Sequence, residues 1–286
     1  MQKIKIRVEK RGRNTDKFFN NIASHLSRFD NYKVIRSSVY KPADIHIVLK
    51  HAAKFKKRMG NRKEEVICCE LAFYPHYERL QVGSGCDVRS QWWKSMPYFQ
   101  GKQEYHFDNS KKILVVGQRD RDFVVRNKIN NPGEWKNAAN IAALLSQYSD
   151  RIVYRSHPRA TQPQKSREQK ILEGLFVSID TSESIQWNQY NMMATINSTT
   201  IYESLMNGVP CVTTGISTAT VPNICLKLTS DNAKTVIGGL AHKTTYMDSA
   251  SLFVEWIKNY QYSEDTIGPA VKWYIEHQLG HMGENA

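Results

Sequence analysis

The chain has 286 residues, room for two domains of ordinary size or one large one, and its 41% apolar content supports a real core. No apolar run approaches the roughly 20 residues of a helical membrane span. The net charge of +13 is lopsided: residues 1–110 hold 22 Lys and Arg against 11 Asp and Glu, whereas 111–286 hold 18 against 16. Such an excess points to a polyanionic partner on the first half, or to a solvated basic surface that only aids solubility.

Taken in order, Lys3 to Val8 alternates as a half-buried strand, so the N-terminus reads as a strand and not a signal peptide. Arg11-Gly12-Arg13-Asn14 is a turn. Thr15 or Asp16 can cap a helix carrying Phe18, Phe19, Ile22, Ala23 and Leu26 on one face. Strands follow at Tyr32–Ile35, Asp44–Leu49 and Val66–Cys69, the last ending at Glu70. The basic stretch 54–63 between them is a loop or short helix. A Trp- and Tyr-rich irregular segment, 91–108, leads to a fresh strand, Ile113–Val116, that ends in Gly117-Gln118.

The second half continues with a helix at about 134–148 (Trp135, Ile141, Leu144, Leu145), strand Ile152–Tyr154, helix 166–174 and strand Leu175–Ile179. Ala194-Thr195-Ile196 is a strand that runs into Asn197-Ser198-Thr199-Thr200. A short helix with Ile201, Leu205 and Met206 stops at Asn207-Gly208 before the strand beginning Val209-Pro210. A last helix over about 265–279 either packs within the second domain or crosses back to the first. Strand–helix alternation at this spacing predicts an α/β protein of two Rossmann-like domains, 1–108 and 109–286, with ligands at the carboxyl ends of the strands.

Four strand ends carry polar clusters: Glu70; Gln118 to Asp122; Tyr154 to Arg159; and Asn197 to Thr200. Arg155, His157, Arg159 and the hydroxyls of Ser198, Thr199 and Thr200 suit a phosphate-binding wall, because guanidinium groups and capped helix starts both favour anions. Glu203 is placed to complete a capping box. Glu70, on the other domain, is the candidate general base, with Asp87 in reserve. Each has a plainer explanation, as a capped helix, a turn or an ion pair. Asp120-Arg121-Asp122 matches a metal-binding DxD, a pattern common by chance. Five cysteines (68, 69, 86, 211, 225) without CxxC spacing read as reduced thiols in a cytoplasmic protein, not as a disulfide frame or zinc site. No Walker, GxGxxG or GxSxG loop is present, which argues against ATPase, dehydrogenase and α/β-hydrolase chemistry.

Cys69-Glu70-Leu71-Ala72-Phe73-Tyr74-Pro75, followed by Leu80 and Gly83-Ser84-Gly85-Cys86-Asp87, resembles a segment of the capsule polysaccharide biosynthesis proteins of the Kdo-transferase type. Ile113 to Gln118, Arg155-Ser156-His157-Pro158, Asp180 to Ile185, and Asn197 to Thr200 through Gly208-Val209-Pro210 resemble later segments of the same family, in the same order. Ala72, Tyr74 and Ile201 depart from its pattern, and nothing before residue 66 resembles it. The resemblance implies a glycosyltransferase of the GT-B type, metal-independent and inverting, with a UDP- or CMP-linked sugar on the C-terminal domain. It places Gln118, Arg155, His157, Ser198, Thr199, Thr200 and Glu203 at the donor and Glu70 at the chemistry.

The basic domain then holds the acceptor through Arg11, Arg13, Lys17, Lys56, Lys57 and Arg58. DNA carrying a hydroxymethylated pyrimidine, of the bacteriophage type, is the leading acceptor. A capsule or lipid-linked glycan at an anionic membrane surface is the alternative. An inactive GT-B-like nucleic-acid-binding protein is the third reading.

Overall fold

The structure is a computed structural model and describes residues 3–10, 15–49, 64–71, 80–84, 111–120, 137–215, 224–237 and 261–280. In chain order these form β1 (Ile4–Glu9), α1 (Asp16–Leu26), β2 (Tyr32–Ser37), β3 (Ile45–Leu49), β4 (Glu65–Leu71), β5 (Leu80–Ser84) and β6 (Lys112–Val116). There follow α2 (Ala138–Leu145), β7 (Ile152–Arg155), α3 (Gln162–Leu172), β8 (Val177–Ile179) and β9 (Tyr190–Thr195). The chain ends with α4 (Thr200–Met206), β10 (Cys211–Thr213), β11 (Leu226–Lys227) and α5 (Ile267–Gln278). Two compact units result, Met1–Ser95 with Trp256–Ala286, and Met96–Glu255. The expected boundary at 108/109 lies outside the described residues.

The first unit is a five-stranded sheet in the order β2-β1-β3-β4-β5, parallel except for β5. Alternation puts Ile6, Val8, Ile45, Ile47 and Ile67 on one face. Helix α1 lays Phe18, Phe19, Ile22 and Leu26 on that face, because three- and four-residue spacing gathers them into one stripe. Full burial of such a side chain contributes about 1.5–3 kcal/mol. Helix α5 adds Ile267, Val271 and Ile275 to the same core and packs on α1 and β5. The crossing is tight: a Cβ at Gly268 would lie 2.6 Å from the Cβ of His25. Trp273 is 53% exposed and stacks on His277, since the inward positions 267, 271 and 275 leave 273 on the far side.

The opposite face of this sheet buries Arg7 beside His46, its register partner on β3. Arg7 donates to the carbonyls of Ser37 (3.0 Å) and Val39 (2.9 Å). His46 Nε2 lies 3.0 Å from Glu64 Oε2, and the Tyr40 hydroxyl donates to the same oxygen at 2.8 Å.

The second unit is a six-stranded, all-parallel sheet. From one edge its order is β8-β7-β6-β9-β10-β11, so β6 comes first in the chain and the winding reverses between β6 and β9. The fold is therefore α/β with two Rossmann-like sheets, as the strand–helix alternation predicts. Its core joins Ile113, Val115, Ile152, Tyr154, Met192 and Val212 to Ala138, Ile141 and Leu145 of α2.

Several element bounds differ from the sequence reading. Helix α3 begins at Gln162, not 166. Pro163 falls in the first turn, where its missing N–H goes unused, and the Thr161 side chain caps Gln164 N. Strand β9 begins at Tyr190, four residues early, because the buried Asn191 breaks the apolar run. Strand β5 was not expected. Its pairing carries β4 through Leu71, so Glu70 sits within the ladder opposite Gln81 and does not follow the strand end.

Candidate functional site

The carboxyl ends of β6, β7 and β9 lie side by side in the second unit, and the reversal point falls between Gln118 and Asn197. The Gln118 side chain spans it. Its Oε1 accepts from Asn197 N at 3.1 Å, and its Nε2 donates to Asn197 Oδ1. A primary amide both donates and accepts through separate atoms, so Gln118 fixes both the backbone and the side chain of Asn197.

Beyond Asn197 the chain turns into α4 through three hydroxyl residues. Ser198 Oγ lies 2.9 Å from Thr200 Oγ1 and accepts from Thr200 N at 3.3 Å. Thr199 occupies the N-cap position without a side-chain cap. The three hydroxyls that the sequence placed here are thus half-buried and adjacent, with Ser198 as the capping group.

Gly117 closes the other side. Its N–H donates to Arg155 O at 2.7 Å. A Cβ built on it would sit 2.9 Å from His157 N and 2.8 Å from the Tyr154 hydroxyl, so only glycine lets the β6 and β7 ends approach this closely. His157 is half-buried, and its Nδ1 accepts from Arg159 N at 2.9 Å. That bond fixes the neutral ring's proton on Nε2, making Nε2 a donor.

Arg155 is committed elsewhere. It donates to Asp180 (2.7 Å), to Ser182 Oγ (2.9 Å) and to Glu183 O (3.1 Å). Burial alone would raise the Asp180 carboxyl, but the hydroxyl and backbone N–H of Ser182, together with Arg155, outweigh it and hold Asp180 below the ordinary carboxylate range. A phosphate reaching Arg155 would have to share it with Asp180. Glu203 makes no capping box with the helix start. The protein crowded around its carboxyl raises it above the ordinary value, and Arg155 acts in the opposite direction.

A second layer lies beneath these groups, and sequence reasoning missed it. Gln164 and Glu168 of α3 are only 3% and 2% exposed. Gln164 Nε2 donates to Gln118 O (2.8 Å) and Glu168 Oε1 (2.7 Å), and its Oε1 accepts from Asp120 N (3.2 Å). Ser156 Oγ donates to Glu168 Oε2 at 2.6 Å. The available signal was the poverty of α3 in apolar residues: Gln164, Glu168 and Leu172 form the only inward stripe open to it.

The remaining candidates are dispersed. Asp120 pairs with Arg167, and Arg121 and Asp122 lie outside the described residues. Among the described residues no three His, Cys, Asp or Glu gather as a metal site requires. Cys68, Cys69, Cys211 and Cys225 are all buried. Lys17 Nζ lies 3.1 Å from Glu264. Arg11, Arg13, Lys56, Lys57, Arg58 and Asp87 lie outside the described residues. Glu70 is placed only by its backbone, on β4. No helix among the described residues is long and apolar enough to cross a membrane.

No protein-family model matches the chain, and no curated protein sequence matches it. Among solved structures it is similar to KpsC of Thermosulfurimonas dismutans, a beta Kdo 2,7 transferase. The identity is 15% over 90% of this chain and 99% of that one, with a TM-score of 0.49. A glycosyltransferase from Rickettsia africae gives 10% identity over the whole of both chains and a TM-score of 0.44. The UDP-GlcNAc 2-epimerase of Neisseria meningitidis, bound to UDP-GlcNAc, gives 12% over 97% of this chain and all of that one, with a TM-score of 0.38.

Proposed function

We propose that the chain is a sugar-nucleotide-dependent glycosyltransferase of the GT-B type, with its donor on the second unit at the β6/β9 reversal point. The observation that supports it is the Gln118–Asn197 pairing there, flanked by His157 and the Ser198–Thr200 hydroxyls. Open parallel sheets bind ligands at this point, outside the carboxyl ends of the strands. The polar groups gathered here are backbone N–H, hydroxyl and imidazole, which suit phosphate oxygens.

The reaction is a direct displacement. The acceptor hydroxyl oxygen bonds to the anomeric carbon, and its proton passes to Glu70. The bond from that carbon to the phosphate oxygen breaks, and the nucleotide leaves. A hydroxyl is a poor nucleophile at neutral pH, which is why a base is needed. The charge excess of residues 1–110 supports a polyanionic acceptor. Hydroxymethylated DNA is the acceptor proposed.

The test offers the full chain a panel of UDP- and CMP-linked sugars, with hydroxymethylated DNA and capsule oligosaccharide in parallel, and reads products by mass spectrometry. Sugar on the DNA supports the proposal. Sugar on the oligosaccharide alone keeps the transferase and replaces the acceptor. Loss of no sugar nucleotide with any acceptor overturns both.

A further inference from the structure

Helix α3 is a mostly exposed helix whose buried stripe is two-thirds polar: Gln164, Glu168 and Leu172. A glutamate is almost never fully buried without partners, because its carboxylate loses its water. Here the partners are complete enough to hold it. Glu168 accepts from Ser156 Oγ at 2.6 Å and from Gln164 Nε2 at 2.7 Å, one donor to each oxygen.

The bonds of this pair all lead to the site. Gln164 grips the main chain on both sides of Arg119, through Gln118 O and Asp120 N. Gln118, so held, turns its side chain onto Asn197, at the head of the Ser198–Thr200 turn. Ser156, held by Glu168, directly precedes His157. One buried carboxylate is thereby connected to the ends of β6, β7 and β9. An apolar side chain at either position would fill the same space and fix none of those atoms.

We propose that Gln164 and Glu168 are positioning residues that preset the strand ends for the donor phosphates. The proposal rests on the nucleotide reading above for its ligand, although the positioning itself does not depend on that reading. No negative charge is required: Glu168→Gln can still accept from Gln164, and its new amide can donate to a reversed Ser156 hydroxyl. Glu168→Met can do neither.

The experiment is residue-resolved amide hydrogen exchange on the full chain, with thermal midpoints and calorimetric titration by UDP and by CMP. The proteins are wild type, Gln164→Met, Glu168→Met, Glu168→Gln, Ser156→Ala and the exposed-face control Lys165→Ala. Gln164→Met and Glu168→Met should exchange at Asp120 and Asn197 about tenfold faster, the size of one lost hydrogen bond, and weaken nucleotide binding by a similar factor. Glu168→Gln and Lys165→Ala should match wild type. Ser156→Ala leaves α3 untouched and keeps the test alive if the methionine variants do not fold. It should speed exchange at Arg159, whose amide is held by His157. Unchanged exchange at Asp120, Asn197 and Arg159, or a Glu168→Gln protein as impaired as Glu168→Met, overturns the positioning. A wild type that binds neither UDP nor CMP overturns the nucleotide reading instead, while the exchange data still judge the positioning.

Discussion

Both sheets carry ion pairs at strand ends, Arg155 with Asp180 and Arg167 with Asp120 in the second, but the ends of β6 and β9 are joined differently. In the first unit charged side chains sit at the carboxyl ends, Arg36 paired with Asp16 and Glu9 accepting from Leu49 N, while His46 meets Glu64 at the amino ends of β3 and β4. In the second, the β6 and β9 ends are joined by neutral amides and hydroxyls, Gln118 to Asn197 and Ser198 to Thr200. An ion pair cancels its own field. An amide orients a backbone without adding net charge. The donor site proposed above thus lies on the edge whose β6 and β9 ends are tied by neutral groups.

Variants can break this contrast. The largest effect expected is Glu70→Gln in the first unit. Single-turnover chemistry should slow by about a hundredfold or more, the range for a lost general base, while donor binding stays unchanged. A normal rate in that variant moves the base to Asp87. Next is Gly117→Ala in the second unit. Its Cβ meets His157 N at 2.9 Å, so stability should drop by about 1–3 kcal/mol as for overpacking, and nucleotide affinity should fall with it. Gly268→Ala, which meets His25 Cβ at 2.6 Å, should cost a similar amount by denaturant titration and leave nucleotide affinity alone. Equal effects of the two glycine variants on nucleotide affinity would erase the distinction.

Charge in the first unit also predicts a pH signature. Burial holds His46 below its ordinary 6.5, with Glu64 working the other way. The unfolded chain takes up this proton near 6.5 and the folded chain only at lower pH. The neutral ring's contribution is therefore whole above about pH 7 and is lost as pH falls through 6.5 toward the folded value. Thermal midpoints measured across that window should decline less steeply in His46→Gln. The smallest effect belongs to Lys17→Ala. An exposed pair with Glu264 is worth under about 1 kcal/mol, and losing one phosphate contact should reduce the salt slope of DNA binding by about 0.9.

Much of this was legible in the sequence, for identifiable reasons. Ile113–Val116 and Ile45–Leu49 are apolar runs ending in polar residues, so both strands and their carboxyl ends could be read directly. The strand-end rule then gathered Gln118, His157 and Asn197–Thr200 on one edge, where they are found. The pairing of Arg155 with Asp180 was not legible, because Asp180 follows a different strand 25 residues on. Gln164 and Glu168 were invisible because polar residues on a helix ordinarily face water. Only tertiary contact with the 118–120 main chain gives them a reason to be buried.

The central claim is that a nucleotide occupies the β6/β9 end of the second sheet. Amide chemical-shift mapping of the full chain during titration with UDP and with CMP tests it most directly. Shifts concentrated at 117–120, 156–160 and 196–201, and absent from Gln118→Leu at the same ligand concentration, are the result predicted. Shifts centred on the first unit's strands, or none at saturating nucleotide, would contradict it.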